Sequence, residues 1–450
     1  MNSQQPQSGI NRNAFIGINT NMSYQGTLSY LFTRYPMFQR IGGSAYKPGL
    51  DTIRDMAAHY GNPHLCFPSI HIAGTNGKGS VSHMLASVLQ QAGYKTGLFT
   101  SPHLKDFRER IRVNGEIIPQ QAVIDFTEEG KPYFETVHPS FFEITTLMAM
   151  DYFARSGVQI AVIETGMGGR LDSTNLITPL VSVITQIGKD HKEYLGDTLE
   201  IIAQEKAGII KPGVPVIIGE TQPETAPVFQ EKAAQQKCSL VFADQLYTLT
   251  ESSLHPDGMQ KFCVEGPEGN QNLFSDLPGN YQKKNIPPVL AVLHRLTQEN
   301  TWKISPEALR EGLKNTRNKT GLRGRWEILD THPMVVCDTG HNAEGIRYVT
   351  EQIRNTPHKR LHLVLGFVKD KDIGAILPLF PSEAEYYFTQ PSVERALNAQ
   401  TLKEKAFLTG RNGKAFDSVS DALQEARKQA HPEDMIFIGG SNFVVAEVIS

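Results

Sequence analysis

The run Ser69-Ile-His-Ile-Ala-Gly-Thr-Asn-Gly-Lys-Gly-Ser80 passes from a β-branched strand pattern, through a glycine-rich turn, into helical spacing over 81–91. Backbone N–H groups of such a turn, together with the positive end of the helix dipole, form a cradle for phosphate oxygens. Lys78 adds a point charge, and Ser80 places a hydroxyl where a phosphate-bound metal would sit. The usual pattern G-x-x-x-x-G-K-[ST] is not met, because Ile72 stands at its first glycine and Gly79 separates Lys78 from Ser80. A turn that merely joins strand to helix is the plainer alternative, and the lysine inside it favours phosphate.

Outward from this turn, short apolar runs alternate with longer amphipathic ones, the signature of a parallel α/β sheet. Strands are predicted at 69–73, 96–100, 159–164, 180–186 and 215–218, with a further helix over 143–156. Right-handed crossovers join such strands. The stretch 219–276 has weaker periodicity and scattered Gly and Pro, and reads as an antiparallel appendage containing 240–242 and 261–264. Helices are predicted at 286–296 and 306–312, and further strands at 334–337, 361–365, 384–388 and 435–438. The fold class is therefore α/β: a P-loop nucleotide-binding domain with a mostly parallel sheet, plus a smaller C-terminal Rossmann-like domain. The expected division is a disordered tail over 1–21, the ATP-binding domain over 22–314, a linker over 315–322 and the second domain over 323–450.

A chain of 450 residues exceeds one ordinary core, and 40% apolar content can supply two. A net charge of −3 gives no general basic field, which argues against nucleic acid or an anionic membrane as partner. Cys66, Cys238, Cys263 and Cys337 lie far apart, so neither a zinc knuckle nor a disulfide framework is suggested. The first twenty-odd residues lack the basic and apolar regions of a signal peptide, and no run approaches a membrane span. The expectation is a cytoplasmic monomer acting on small molecules.

Glu164 ends the apolar strand Ile160-Ala-Val-Ile163, at the carboxyl edge of a sheet beside the phosphate loop. A carboxylate there serves as a magnesium ligand or as a helix-capping or salt-bridging residue. His191 and Lys206 have equally ordinary structural readings, a core histidine and a solvated Glu-Lys pair.

Further motifs decide between these readings. Thr100-Ser-Pro-His-Leu104 precedes Phe107-Arg-Glu-Arg-Ile111, and Phe141-Phe-Glu143 precedes Glu164-Thr-Gly-Met-Gly-Gly-Arg-Leu-Asp-Ser-Thr-Asn175. Asp190-His191, Glu205-Lys-Ala-Gly-Ile209, Leu277-Pro-Gly-Asn-Tyr-Gln282, Gly324-Arg325 and Asp338-Thr-Gly-His-Asn342 follow. In this order, and over almost the whole chain after residue 21, the sequence resembles the folylpolyglutamate and dihydrofolate synthases, relatives of the muramyl amino-acid ligases.

The resemblance implies an ATP-dependent ligase that adds L-glutamate to dihydropteroate, to folate polyglutamates, or to both, through an acyl phosphate. It makes Gly74, Thr75, Asn76, Gly77, Lys78, Gly79 and Ser80 the ATP loop, with Asn285, Arg325 and Asp338 on the far side of the nucleotide. Ser101 and Glu164 would hold one magnesium ion beside Ser80, and His191 a second, with Lys206 as a carbamate. Gly49, Leu50, Asp51, Ser140, Phe141, Phe142, Glu143, Leu171, Asp172 and Ser173 would surround the pterin-bearing acceptor. Arg110, Asp172, His341 and Ser441 would surround the incoming glutamate, with Asp172 and His341 also close to the chemistry. The family's Asp-x-Ala-His-Asn-Pro reads Asp338-Thr-Gly-His-Asn-Ala343 here, which puts the local backbone in question.

Three rivals are weighed. A ligase of UDP-muramyl precursors would be expected to carry an additional N-terminal domain, for which the stretch before residue 69 is short. A nucleotide-hydrolysing switch needs no metal-binding histidine or acidic-substrate site. A dinucleotide oxidoreductase is disfavoured because G-x-G-x-x-G is absent from the loop and a lysine has no role there.

Overall fold

The computed structural model describes residues 22–37, 49–255, 258–298 and 301–449. The region expected to be a tail, 1–21, lies outside them.

The first sheet is built on β1 (Ser69–Ala73), β2 (Thr96–Phe99), β3 (Ile111–Val113), β4 (Glu116–Ile117), β5 (Ile160–Glu164), β6 (Val181–Ile184), β7 (Val216–Ile218) and β8 (Leu240–Phe242). Its order is β4-β3-β2-β5-β1-β6-β7-β8, parallel except where β3 and β4 fold back. The five predicted strands are present to within two residues at either end. All five residues of β1 are buried, as a central strand covered on both faces requires. The helices Lys78–Gln91 and Gln282–Gln298 pack one apolar face of the sheet, and Phe141–Arg155 packs the other.

β9 (Thr248–Leu254), β10 (Gln260–Gly266) and β11 (Gly269–Ser275) form the expected antiparallel unit. The run 240–242 does not belong to it: as β8 it pairs parallel to β7 and extends the main sheet. Its three residues are too short to show a period, and the parallel partner decides their place.

The second sheet runs β12-β13-β17-β14-β15-β16, from β12 (Glu327–Thr331), β13 (Met334–Cys337), β14 (Leu361–Leu365), β15 (Glu385–Thr389), β16 (Gly413–Phe416) and β17 (Met435–Gly439). It is parallel apart from the β12–β13 hairpin. Between the sheets, where a linker is expected, the structure has a short helix, Thr316–Thr320. It is anchored rather than loose: Thr316 and Thr320 are buried, and the Thr320 hydroxyl lies 2.8 Å from His83 Nδ1.

The carboxyl ends of β1, β5 and β6 point toward those of β13 and β14. Asp190, beyond β6, is bonded to His341, beyond β13, and to Lys371, beyond β14. Ligand sites of open α/β sheets lie at such carboxyl edges.

Candidate active site

The phosphate loop is held in shape by close backbone approaches. Gly74 has φ +147, and a Cβ there would lie 1.8 Å from the Thr185 hydroxyl. At Gly77, with φ +90, a Cβ would lie 2.3 Å from Asn285 Oδ1. These two positions need glycine for space as well as for dihedral angle. The Thr185 hydroxyl donates to Asn76 O at 2.7 Å, while Thr75 exchanges two 3.0 Å bonds with the Gly188 backbone. Lys78 opens the helix, and its ammonium turns back to donate to Gly74 O at 3.0 Å and Thr75 O at 3.3 Å. Ser80 Oγ accepts from Gln282 Nε2 at 3.2 Å, and Gln282 in turn accepts from Asn285 at 2.7 Å.

Glu164 ends β5 fully buried, and burial pushes its carboxyl up to about 7 against the opposing pull of Lys78, the Ser101 amide, Arg325 and Arg110. Its hydrogen bond comes from Ser101 N at a long 3.4 Å. Lys206 is buried on the helix Leu199–Ala207, donating to Gly74 O at 2.8 Å. Burial, and then Lys78, bring its amine down to about 7. The solvated Glu-Lys face is thus excluded. His191 takes a left-handed backbone at φ 51, and burial lowers its imidazole to about 4, so it is neutral at physiological pH.

Among the described residues, no group of three or more His, Cys, Asp or Glu side chains could hold a metal by itself. Magnesium tolerates that, since it ordinarily takes one or two carboxylates and completes its shell with phosphates and water. The donor chemistry fits: a desolvated, poorly paired carboxylate at Glu164 beside the Ser101 turn.

A cleft of about 270 Å³ joins these groups to the second sheet. Gly74, Thr75, Lys78, Ser101, His191, Lys206, His341 and Ser441 all line it, as do Arg110, Ser140, Phe141, Phe142, Leu171, Asp172 and Ser173. Glu164 and Arg325, with Gly79, line a cavity of about 110 Å³ that shares Ser101, Pro102, His341 and Asn442 with the cleft.

Some predicted residues have structural employment. Asp338 accepts from the Tyr281 hydroxyl at 2.6 Å and from Trp326 N and Gly340 N, each at 2.7 Å, which fixes the crossing into the second sheet. The substituted Gly340 and Ala343 cause no break, since Asn342 caps the helix Ala343–Asn355 through Gly345 N. Asp172 accepts from Gly166 N, Met167 N and Thr174 N, shaping the glycine turn after β5. Ser140 and Glu143 form a reciprocal capping box at the start of Phe141–Arg155, so Glu143 faces the backbone rather than the cleft. Phe141 is core and lies under the Arg110 guanidinium at 5.5 Å, whereas Phe142 is partly exposed to the cleft. Gly49, Leu50 and Asp51 do not line the cleft; the Asp51 side chain is 98% exposed and faces Arg54 at 3.6 Å.

Comparison with known proteins settles the family. The description "Mur ligase middle domain" matches residues 72–293, and "Mur ligase, glutamate ligase domain" matches 324–442. The dihydrofolate synthase/folylpolyglutamate synthase of Bacillus subtilis is 33% identical over 411 residues, 89% of this chain and 94% of that one. The chain belongs to the dihydrofolate synthase/folylpolyglutamate synthase family of Mur ligases. It spans half the length of a probable bifunctional folylpolyglutamate synthase/dihydropteroate synthase of Haloferax volcanii, at 32% identity over 95% of this chain. Escherichia coli FolC in complex with DHPP and ADP superposes with a TM-score of 0.81 at 30% identity, covering 95% of this chain and 97% of that one. A bifunctional folylpolyglutamate synthase/dihydrofolate synthase with Mn, AMPPNP and L-glutamate bound gives 0.80 at 27% identity, over 95% and 97%. Like its family, the chain is an ATP-dependent ligase that joins glutamate to folates.

Within this Mur ligase the sequence reading gave no role to Asp190, quoted only as part of a motif, and missed Lys371 and Arg395 at the cleft. Asp190 accepts from Lys371 Nζ at 2.7 Å and lies 3.2 Å from His341 Nε2, and these bonds hold its carboxyl well below the usual range despite burial. Arg395, which also lines the cleft, pairs with Asp370 at 2.6 Å. Loop charges carry no periodic signal, so only the run Lys369-Asp-Lys-Asp372 could have marked this segment.

Proposed function

We propose that this ligase phosphorylates the carboxylate of its acceptor and then couples it to the amine of L-glutamate. Both dihydropteroate and glutamylated folates serve as acceptors, and the protein works as a cytoplasmic monomer. A carboxylate resists an amine at neutral pH because its carbon is electron-rich and oxide is a poor leaving group. Transfer of the γ-phosphoryl group of ATP removes both obstacles. The spreading negative charge meets the loop amides and Lys78, fixed groups that need not reorganise during transfer. Magnesium, when bound by Ser80, Ser101 and Glu164, neutralises phosphate charge there.

A second ion beside His191 and a carbamate on Lys206 complete the reading. Carbamate formation requires a neutral amine facing dissolved carbon dioxide. Lys206, brought to about 7 by burial, supplies it near neutrality. On the acceptor side, the partly exposed Phe142 offers a wall for a flat heteroaromatic ring, and the cationic Arg110 suits a carboxylate. Asn285, Arg325 and Asp338 complete the nucleotide site, Asp338 by holding the backbone beside Arg325. Closure of both sheets around the cleft keeps water from the acyl phosphate.

The observation carrying this reading is the convergence of Lys78, Ser101, His191, Lys206 and His341 on one cleft, with Glu164 at its border. Mass spectrometry of products from dihydropteroate and from a monoglutamyl folate, each with ATP and glutamate, tests it. One added glutamate on each acceptor is expected, and a product from only one acceptor rejects the dual activity.

A further inference from the structure

The cavity of about 110 Å³ behind the Ser101-Pro102 turn is more cationic than the loop chemistry requires. Arg112, Arg323 and Arg325 all line it. Arg323 pairs with Glu327 at 2.6 Å. Arg325 is bonded to Gly324 O and the Thr339 hydroxyl, and Arg112 Nη1 donates to Gly115 O at 3.0 Å. Among the described residues, neither Arg112 nor Arg325 has a carboxylate within ion-pair distance. The buried Arg112 Nε has no hydrogen-bond partner, and burial pulls the guanidinium down from its ordinary range.

The nearby acids do not repair this. Glu109 spends its carboxylate on three backbone donors, Leu104 N at 2.7 Å, Lys105 N at 3.1 Å and Asp106 N at 2.9 Å. Glu164 faces the cavity at its inner end, toward the phosphate loop. Asp106 pairs with Arg108 at 2.6 Å and Glu116 acts on Arg112 only through space, so among the described residues no carboxylate hydrogen-bonds this partly buried guanidinium, and an anion of matching geometry would relieve its desolvation.

We infer that this cavity is an oxyanion subsite that receives inorganic phosphate as it leaves the acyl phosphate. The inference rests on the proposed chemistry. In the second step the glutamate nitrogen bonds to the acyl carbon, the carbon–oxygen bond to phosphate breaks with its electron pair going to phosphate, and the nitrogen gives up a proton to solvent. At that moment the acceptor fills the large cleft and ADP fills the loop. The arginine-lined cavity shares the wall of Ser101, Pro102, His341 and Asn442 with the cleft and so adjoins the reacting centre. A carboxylate of the glutamate chain has related chemistry, and the test separates the two.

The full chain is assayed with ATP, glutamate and a monoglutamyl folate while inorganic phosphate is added. Arg112→Met should raise the inhibition constant for phosphate about tenfold, the loss of one charge-assisted contact, and leave the KM for glutamate in place. Arg112→Lys, which keeps a cation, should fall between it and the wild type. Unchanged phosphate inhibition in both variants overturns the inference, and so does a tenfold rise in glutamate KM in its place, which would assign the cavity to a carboxylate. Titration calorimetry of phosphate into the wild-type protein with ADP bound gives a readout independent of turnover, and absence of binding there also overturns it. Failure of the wild type to form amide refutes the functional reading, whereas amide formation without phosphate binding refutes this inference alone.

Discussion

Glu164 and Asp338 occupy equivalent places, each buried at the carboxyl end of a strand in one of the two sheets, and burial pushes both carboxyls upward. Their surroundings differ. Asp338 accepts three short bonds from Tyr281, Trp326 and Gly340, while Glu164 has one long bond from Ser101 N. A buried acceptor left this poorly served is costly unless a ligand completes it. One sheet edge therefore spends its acid on architecture, and the other leaves its acid with room for a ligand, as the proposed function requires.

Substitution at the acid with room for a ligand should give the largest effect. Glu164→Gln is expected to lower kcat/KM by about 10²–10³-fold, the scale of losing a preorganised electrostatic group, without lowering Tm. A fall in Tm comparable to that of an Asp338 variant would erase the contrast. Lys206→Ala should cost about 10–100-fold, as for a residue supporting a metal shell, with partial recovery on adding acetate or formate. Full activity without rescue would remove the carbamate.

The architectural acid should behave in the opposite sense. Asp338→Ala leaves the Tyr281 hydroxyl and two amides without acceptors. It should lower unfolding free energy by about 1–3 kcal/mol, read from denaturant midpoints, with activity falling as Arg325 loses its support. An Asp338→Ala protein as stable as the wild type but inactive would make Asp338 a direct nucleotide ligand instead.

The same distinction governs what was legible in the sequence. β1, β13 and β14 are predicted with their observed bounds because runs of mostly apolar residues have one stable home, between two covered faces. β3, β4, β12 and β16 are missed because strands at or next to a sheet edge are fixed by their neighbours and carry little pattern of their own. At the site, Lys78, Ser101, His191 and His341 do meet at the cleft. Ser140 and Glu143, assigned to the acceptor, carry the S-x-x-E spacing of a capping box, and that local signal accounts for their geometry. The Asp190–Lys371 pair spans 181 positions, a contact that no window along the chain can register.

The smallest effect concerns the interior of the two sheets. His362 in β14 lies 3.4 Å from Asp434 and 3.5 Å from Glu385, whereas the Nε2 of His71 in β1 meets only the Thr174 hydroxyl at 2.8 Å and its Nδ1 has no partner. Burial, and then Lys211, hold His71 down to about 3. In the unfolded chain the same imidazole titrates near 6.5, so below that pH the unfolded state takes up a proton that the folded state refuses. Stability attributable to this group is complete above about pH 6.5 and declines as pH falls toward 3, by up to about 1.4 kcal/mol per pH unit. His71→Gln keeps a hydrogen bond to Thr174 and cannot titrate. Its Tm should therefore fall less steeply than that of the wild type between pH 6.5 and 5, and parallel curves would mean that the wild-type acid sensitivity arises from other groups.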